Sequence, residues 1–361
     1  MTPLDSLAAQ VYAGVVQFET EPSVRELEQM ARSYAPLLGA EEVRCVAETV
    51  RRRLVGFGAL QALLEEASVT EVMVQGNDVW FEQHGELRRS DIHLDGRAIE
   101  RIIDRLLSQG NGRVDRASPL VDLRLADGSR ANIVVPPVAI DGPCITIRRF
   151  ALRDSSLGDF GARAVVESLS KAVQERRGIV VFGGTGSGKT TLLNALAGQV
   201  SATERIVTIE ETAELRLRHA HVVRLEARPA NSDGAGSVTV RQLVRNALRM
   251  RPDRIVVGEV RGLEVLDMAQ AMNTGHAGSM TTCHANSPRD VLRRLEAMAM
   301  FGGDLPLGFV RSQLAAGIGV LVEVRRGTGG HRFVNSVVAV SPDADWSSGT
   351  GLTPLCAQVL P

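Results

Sequence analysis

A chain of 361 residues is longer than one hydrophobic core comfortably serves, so two or three domains are expected. Hydrophobic residues at 44% and charged residues at 23% exclude disorder as the theme, and a formal net charge of −1 excludes a global electrostatic pull toward nucleic acid or anionic lipid. The four cysteines, Cys45, Cys144, Cys283 and Cys356, are scattered without a CxxC pair, which excludes a zinc knuckle or a disulfide framework and fits a reducing cytoplasm.

The N-terminal MTPLDSLAAQ lacks a basic segment followed by an apolar run. No stretch approaches the roughly 20 apolar residues of a membrane span, so a cytosolic protein that reaches a membrane through partners is expected. Residues 1–67 read as a helical segment: Val24, Leu27 and Ala31, then Val43, Val46, Val50 and Leu54, recur at helical spacing with charges between them. From 68 to 150 the pattern shortens to strands (EVMVQG, DVWFEQ, VDLRLA, ANIVV, CITIRRF) around one helical stretch near 97–108, which predicts an α+β domain. ALRDSSLGDF at 151–160 is the expected linker. In 161–341, apolar runs (GIVVF, RIVTI, HVVRL, RIVVG, SMTTC) alternate with helical stretches, the signature of a mainly parallel sheet wrapped by helices. Residues 342–361 carry Ser, Gly and Pro without period and read as a flexible tail.

Within the α/β region, the buried-strand run at 178–182 leads at once into Gly183, Gly184, Thr185, Gly186, Ser187, Gly188, Lys189 and Thr190, and then into Thr191 and a Leu-bearing helix. This is GxxxxGK[ST] in the strand-to-helix context it requires. Glycines let successive backbone N–H groups turn toward phosphates, and the helix N-terminus adds its positive dipole. Lys189 is placed to reach the β and γ phosphates, and Thr190 to ligate Mg²⁺ through its hydroxyl. ATP and Mg²⁺ are therefore the expected ligands.

Hydrolysis also needs a group that orients or deprotonates water. RIVVGEVRG ends an apolar strand in Gly258 and Glu259, at the strand end where α/β sheets place ligands. A second acidic cluster, IEETAEL, supplies Glu210, Glu211 and Glu214 after another strand. TGHAGSMTTCHAN holds His276 and His284, eight apart and so not on one helix face as a metal pair. Either imidazole serves equally well as a structural hydrogen-bonding group.

Phosphate loop, acidic cluster, glutamate-ended strand and histidine segment, in this order over 178–301, resemble the ATPases of type II secretion, type IV secretion and type IV or Tad pili. The resemblance implies a RecA-like C-terminal domain acting in a homo-oligomeric ring, a hexamer, on inner-membrane platform proteins at the cytoplasmic face. It also implies that Glu259 and Glu214 are the water-activating pair and that His276 and His284 sense the γ phosphate. Gly258 stands where many phosphate-loop ATPases have an aspartate, so the metal is held through Thr190 and water. VDLRLADGSRANIVVPPV and ITIRRF are similar to the segment that brings arginines to the nucleotide; the role falls to Arg130 and Arg148, with Arg124 and Arg149 as rivals. The extra N-terminal helices and the lack of a four-cysteine module point to the Tad pilus and type IV secretion branch. Two other classes stay open: a DNA-translocating ATPase, which four Trp and Tyr in all and no long basic run in the C-terminal half disfavour, and a non-hydrolysing nucleotide-switched scaffold.

Overall fold

In a computed structural model, residues 3–15, 22–149, 155–228, 235–301, 305–327, 330–345 and 350–357 are described. Residues 151–154 of the expected linker lie outside them; its remainder carries a short 3-10 turn, Leu157–Phe160. The chain divides into two units, residues 1–152 and 153–361.

The first unit begins with three helices, α1 (Pro3–Val15), α2 (Val24–Tyr34) and α3 (Ala40–Val55). Ser23 starts α2 with a reciprocal capping box, its hydroxyl accepting from Glu26 N while Glu26 Oε2 accepts from Ser23 N at 2.8 Å. Leu7, Val11, Leu27, Val46 and Val50 close a small core between the three. A short α4 (Gln61–Glu65) leads into β1 (Val69–Gln75), β2 (Asp78–Gln83) and β3 (Glu86–His93). After α5 (Gly96–Gly110) come β4 (Leu120–Arg124), β5 (Arg130–Val134) and β6 (Cys144–Arg148). The six strands form one antiparallel sheet in the order β3-β2-β1-β6-β5-β4. Ile99, Ile102, Ile103 and Leu106 of α5 recur at helical spacing and pack on Val72, Val74, Ile133 and Ile147, the alternate residues of the strands.

The second unit is an α/β layer structure. Its helices are α6 (Arg163–Gln174), α7 (Lys189–Ala197), α8 (Val240–Ala247), α9 (Glu264–Asn273), α10 (Pro288–Met300) and α11 (Leu307–Gly317). Its strands are β7 (Ile179–Gly183), β8 (Ile206–Glu210), β9 (Val222–Glu226), β10 (Arg254–Val257), β11 (Met280–His284), β12 (Val320–Arg326), β13 (Arg332–Asp345) and β14 (Thr350–Ala357). The sheet order is β14-β13-β12-β7-β11-β10-β8-β9; the six strands from β12 to β9 are parallel, and β13 and β14 extend the β12 edge antiparallel. Two apolar layers cover its faces, one centred on Phe182, Ile209, Val257 and Leu292, the other on Val181, Leu193, Leu196 and Val256. β7, β8 and β10 are buried along their whole length, which is why they read as mainly apolar runs rather than alternating ones.

The described residues of the expected flexible tail, 342–345 and 350–357, are corrected to strand by this topology. β13 runs through Ser341 to Asp345, and β14 pairs with it from Ser336↔Ala357 to Asp345↔Thr350, with two register shifts. Residues 346–349 and 358–361 of the expected tail lie outside the described residues; the register shifts are the irregular pairing common at a sheet edge.

Candidate functional site

The site is built by strand order. Parallel strands carry their C-terminal ends to one edge, and β7, β11, β10 and β8 are consecutive neighbours. That edge therefore carries, side by side, Gly183 with the phosphate loop, His284, Gly258 with Glu259, and Glu210. His284 is paired in register with Gly183, and Val257 with Ile209.

The loop's glycines are dictated by its surroundings. Gly186 and Gly188 have positive φ of 68° and 101°, a region that L side chains rarely adopt. Lys189, buried at the start of α7, donates to Gly184 O at 2.9 Å and Gly183 O at 3.2 Å. Its Nζ also meets His284, at 3.2 Å from Nδ1. His284 Nε2 lies 3.2 Å from Glu259 Oε1. A neutral imidazole satisfies both contacts, accepting from Lys189 at Nδ1 and donating to Glu259 from Nε2. Burial, and then the Lys189 charge, hold the His284 pKa below its ordinary value, which favours that neutral form.

Glu259 continues the chain of contacts. Its Oε2 accepts from Arg261 Nη2 at 2.8 Å, and Arg261 Nη1 donates to Glu211 Oε2 at 2.6 Å. The pairing with Glu259 raises the Arg261 pKa further. Buried Glu264 fixes this turn by accepting from the Arg261 and Gly262 N–H groups at 2.6 and 2.8 Å. Glu210 is buried at the end of β8, where its Oε1 accepts from the N–H groups of Glu214 and Leu215 at 2.9 Å each. Burial outweighs those two donors and pushes its pKa up to about 7. Gly258 has to be glycine, because a Cβ there would sit 2.8 Å from Glu210 Cγ.

Ser187 Oγ is buried within the loop with no hydrogen-bond partner among the described residues. A hydroxyl in that condition costs about 1–3 kcal/mol, and a phosphate oxygen in the cradle would satisfy it. Thr190, partly exposed in the first turn of α7, is the hydroxyl available to a cation. Among the described residues no group of three or more His, Cys, Asp or Glu side chains could hold a metal by itself. That donor set fits Mg²⁺, which keeps several waters and takes few protein ligands beside phosphate oxygens.

The structure brings Lys189, His284, Glu259, Glu211 and Glu210 to one edge. His276 is not brought to this edge: it precedes β11, which ends in His284, and its Nδ1 lies 2.9 Å from Pro252 O at the other end of the sheet. At about 3.3 Å per strand residue, it does not join the site of its own chain. Arg261, Glu264 and the loop-facing Arg332 were not singled out from sequence. The EVRG string put an arginine two residues after the glutamate, which was the one local signal for Arg261.

In the N-terminal unit, β-pairing aligns Arg124↔Arg130 and Arg130↔Arg148, and Arg148↔Glu71 ends the row. Directly paired residues share a face, so Arg124, Arg130 and Arg148 form one cationic row, with Arg148 Nε 3.6 Å from Glu71. Arg149 lies on the opposite face, its guanidinium bound to the carbonyls of Val69, at 2.9 Å, and Glu66. Among the four arginines, Arg149 is structural.

A phosphate loop at the carboxyl edge of a parallel sheet, flanked by a histidine and a strand-ending glutamate, defines a RecA-like phosphate-loop domain. The family model for the type II/IV secretion system protein matches residues 54–322. A Mycobacterium tuberculosis protein named for conjugal transfer is 44% identical over 317 residues, covering 84% of this chain and 90% of that one. The type IV secretion system protein PtlH of Bordetella pertussis is 34% identical over 311 residues, covering 75% and 89%. In fold, the chain is similar to the Legionella pneumophila ATPase DotB, with a TM-score of 0.57 at 21% identity over 78% and 79% of the two chains. The chain belongs to the type II/IV secretion ATPase family. No helix among the described residues is long and apolar enough to cross a membrane.

Proposed function

We propose that this chain hydrolyses ATP at the Gly183–Thr191 loop and uses the energy, as a homo-oligomeric ring of six, to drive pilus assembly of the Tad type or protein secretion through an inner-membrane platform. The observation that carries the reading is the contact chain Lys189–His284–Glu259, which puts a phosphate-binding cation and a carboxylate on the two sides of one imidazole. β and γ phosphate oxygens would compete with the Gly183 and Gly184 carbonyls for Lys189. Glu259 would then orient and deprotonate the attacking water, and His284 would report the γ phosphate to it. Magnesium, held through Thr190 and water, would neutralise charge on the phosphates. Glu214 stays a candidate second carboxylate because it adds to the negative field on Arg261. The row Arg124–Arg130–Arg148 has the chemistry to meet the triphosphate, since adjacent like charges on a sheet are relieved by a polyanion.

The test is phosphate release and ATP affinity of Glu259→Gln. Turnover should fall about 100-fold or more with affinity retained, as loss of a general base requires. Normal turnover would remove Glu259 from the reaction. A second reading, the same motor in a conjugal-transfer apparatus, is favoured by the naming of the 44% identical relative. Stimulation of turnover by single-stranded DNA would support it.

A further inference from the structure

The phosphate loop has a wall that the reaction described above does not use. β12 flanks β7 on the side opposite β11, so the β12–β13 hairpin and the Glu259–His284 cluster lie on opposite sides of the loop. The last residue of β12, Arg326, is paired across the hairpin with the first of β13, Arg332. Arg325, its chain neighbour, is committed to buried Glu323 at 2.6 Å. Arg326 instead lies along the loop, its Nη1 3.6 Å from where a Cβ on Gly186 would stand. Arg332 crosses Gly188 so closely that a Cβ there would meet its Cδ at 2.5 Å, and its Nη1 donates to Thr191 Oγ1 at 2.8 Å. Residues 183–191 contain no acid, yet three cations, Lys189, Arg326 and Arg332, converge on them.

Polarity along the loop follows from strand order. The triphosphate end must point toward Glu259 and His284 if hydrolysis is to occur there, so the nucleoside end points toward the hairpin. Thr191 is also one residue further into α7 than Thr190, the metal-binding hydroxyl, on the side away from the γ phosphate. We infer that Arg332, assisted by Arg326, is a nucleotide-binding residue that engages the α-phosphate of a nucleoside di- or triphosphate. This inference rests on the ATP reading of the loop. A guanidinium suits the task because its fixed fork can hold the Thr191 hydroxyl and a phosphate oxygen at once. Glycine at 188 is then explained twice over, by its φ and by the side chain that must pass over it.

The experiment is calorimetric ADP binding to the full chain, with steady-state kinetics, for wild type, Arg332→Gln and Arg326→Gln. Glutamine at 332 keeps a donor for Thr191 but removes the charge. Loss of one charge-assisted contact should weaken ADP binding by about 10- to 100-fold in Arg332→Gln, and by less in Arg326→Gln. KM for ATP should rise by more than kcat falls, since the lost contact binds ground state and transition state alike. Arg332→Lys should recover part of the ADP affinity, which a purely structural loss of the fork would not. ADP affinity within twofold of wild type in both Gln variants overturns the inference, as does a fall in kcat with KM unchanged, which would put Arg332 at the γ end. Should Arg332→Gln not fold, Arg326→Gln alone decides. A wild-type chain that binds no ADP would instead bring down the ATP reading, and this inference with it.

Discussion

Glu210→Gln isolates the cost of holding a carboxyl inside the sheet edge. Glu210 is 4% exposed, and its pKa is pushed up to about 7, from an ordinary 4.5. A folded pKa above the unfolded one means the native state binds the proton more tightly. The associated stability is fully present below pH 4.5 and is lost as pH rises through about 7. A difference of about 2.5 units at 1.36 kcal/mol each gives about 3 kcal/mol. Glutamine keeps the carbonyl-type acceptor for the Glu214 and Leu215 N–H groups and nearly the same volume, but it never ionises. Urea denaturation followed by circular dichroism, for both proteins at intervals from pH 4.5 to 8.5, reads the difference directly. Other titrations are common to the pair and cancel. Relative to wild type, the variant should gain about 3 kcal/mol across that range, most of it between pH 5 and 7. A flat difference would show that Glu210 ionises as a surface glutamate does and would remove its burial from the reasoning.

Thr208→Val should stabilise the chain by about 1 kcal/mol or more, because Thr208 Oγ1 is buried without a hydrogen-bond partner among the described residues; an unchanged or lower melting temperature would contradict this. Arg254→Leu should destabilise by about 3–5 kcal/mol, since Glu204 would lose the bidentate partner at 2.9 and 3.0 Å that holds its pKa down; a melting curve like wild type would refute that dependence. His284 is held neutral by burial and Lys189, so its contribution is present at and above its ordinary pKa of about 6.5 and is lost as pH falls through the lower folded value. Folding stability in urea should therefore carry no His284 contribution to its pH dependence from pH 8 to 6.5 and should fall below it, a loss that His284→Asn should lack; identical pH profiles for the two proteins would contradict this.

Much of the phosphate-loop edge was legible because its signals are contiguous. GGTGSGKT is a single string with fixed spacing, β7 is apolar from Ile179 to Phe182 and β10 from Ile255 to Val257, and in β8 Thr208 alone stands between Ile206-Val207 and Ile209. β13 and β14 were hidden for the opposite reason: an edge hairpin with register shifts keeps no clean alternation, and Pro342 and Pro354 read as breakers. Where His276 lies was not legible, because spacing along the chain does not say how much strand lies between two residues, and here β11 sends His276 and His284 to opposite ends. Arg261 and Arg332 carried almost no signal among 39 arginines; only strand order and side-chain reach single them out.

Steady-state phosphate release by the purified full chain with ATP and Mg²⁺, measured beside Lys189→Ala, tests the central claim most directly. The account predicts turnover in the wild type and its loss in the variant, with weakened triphosphate binding, because Lys189 is the buried cation of the loop. Equal rates in the two proteins, or a wild type that binds ATP without releasing phosphate, would contradict it.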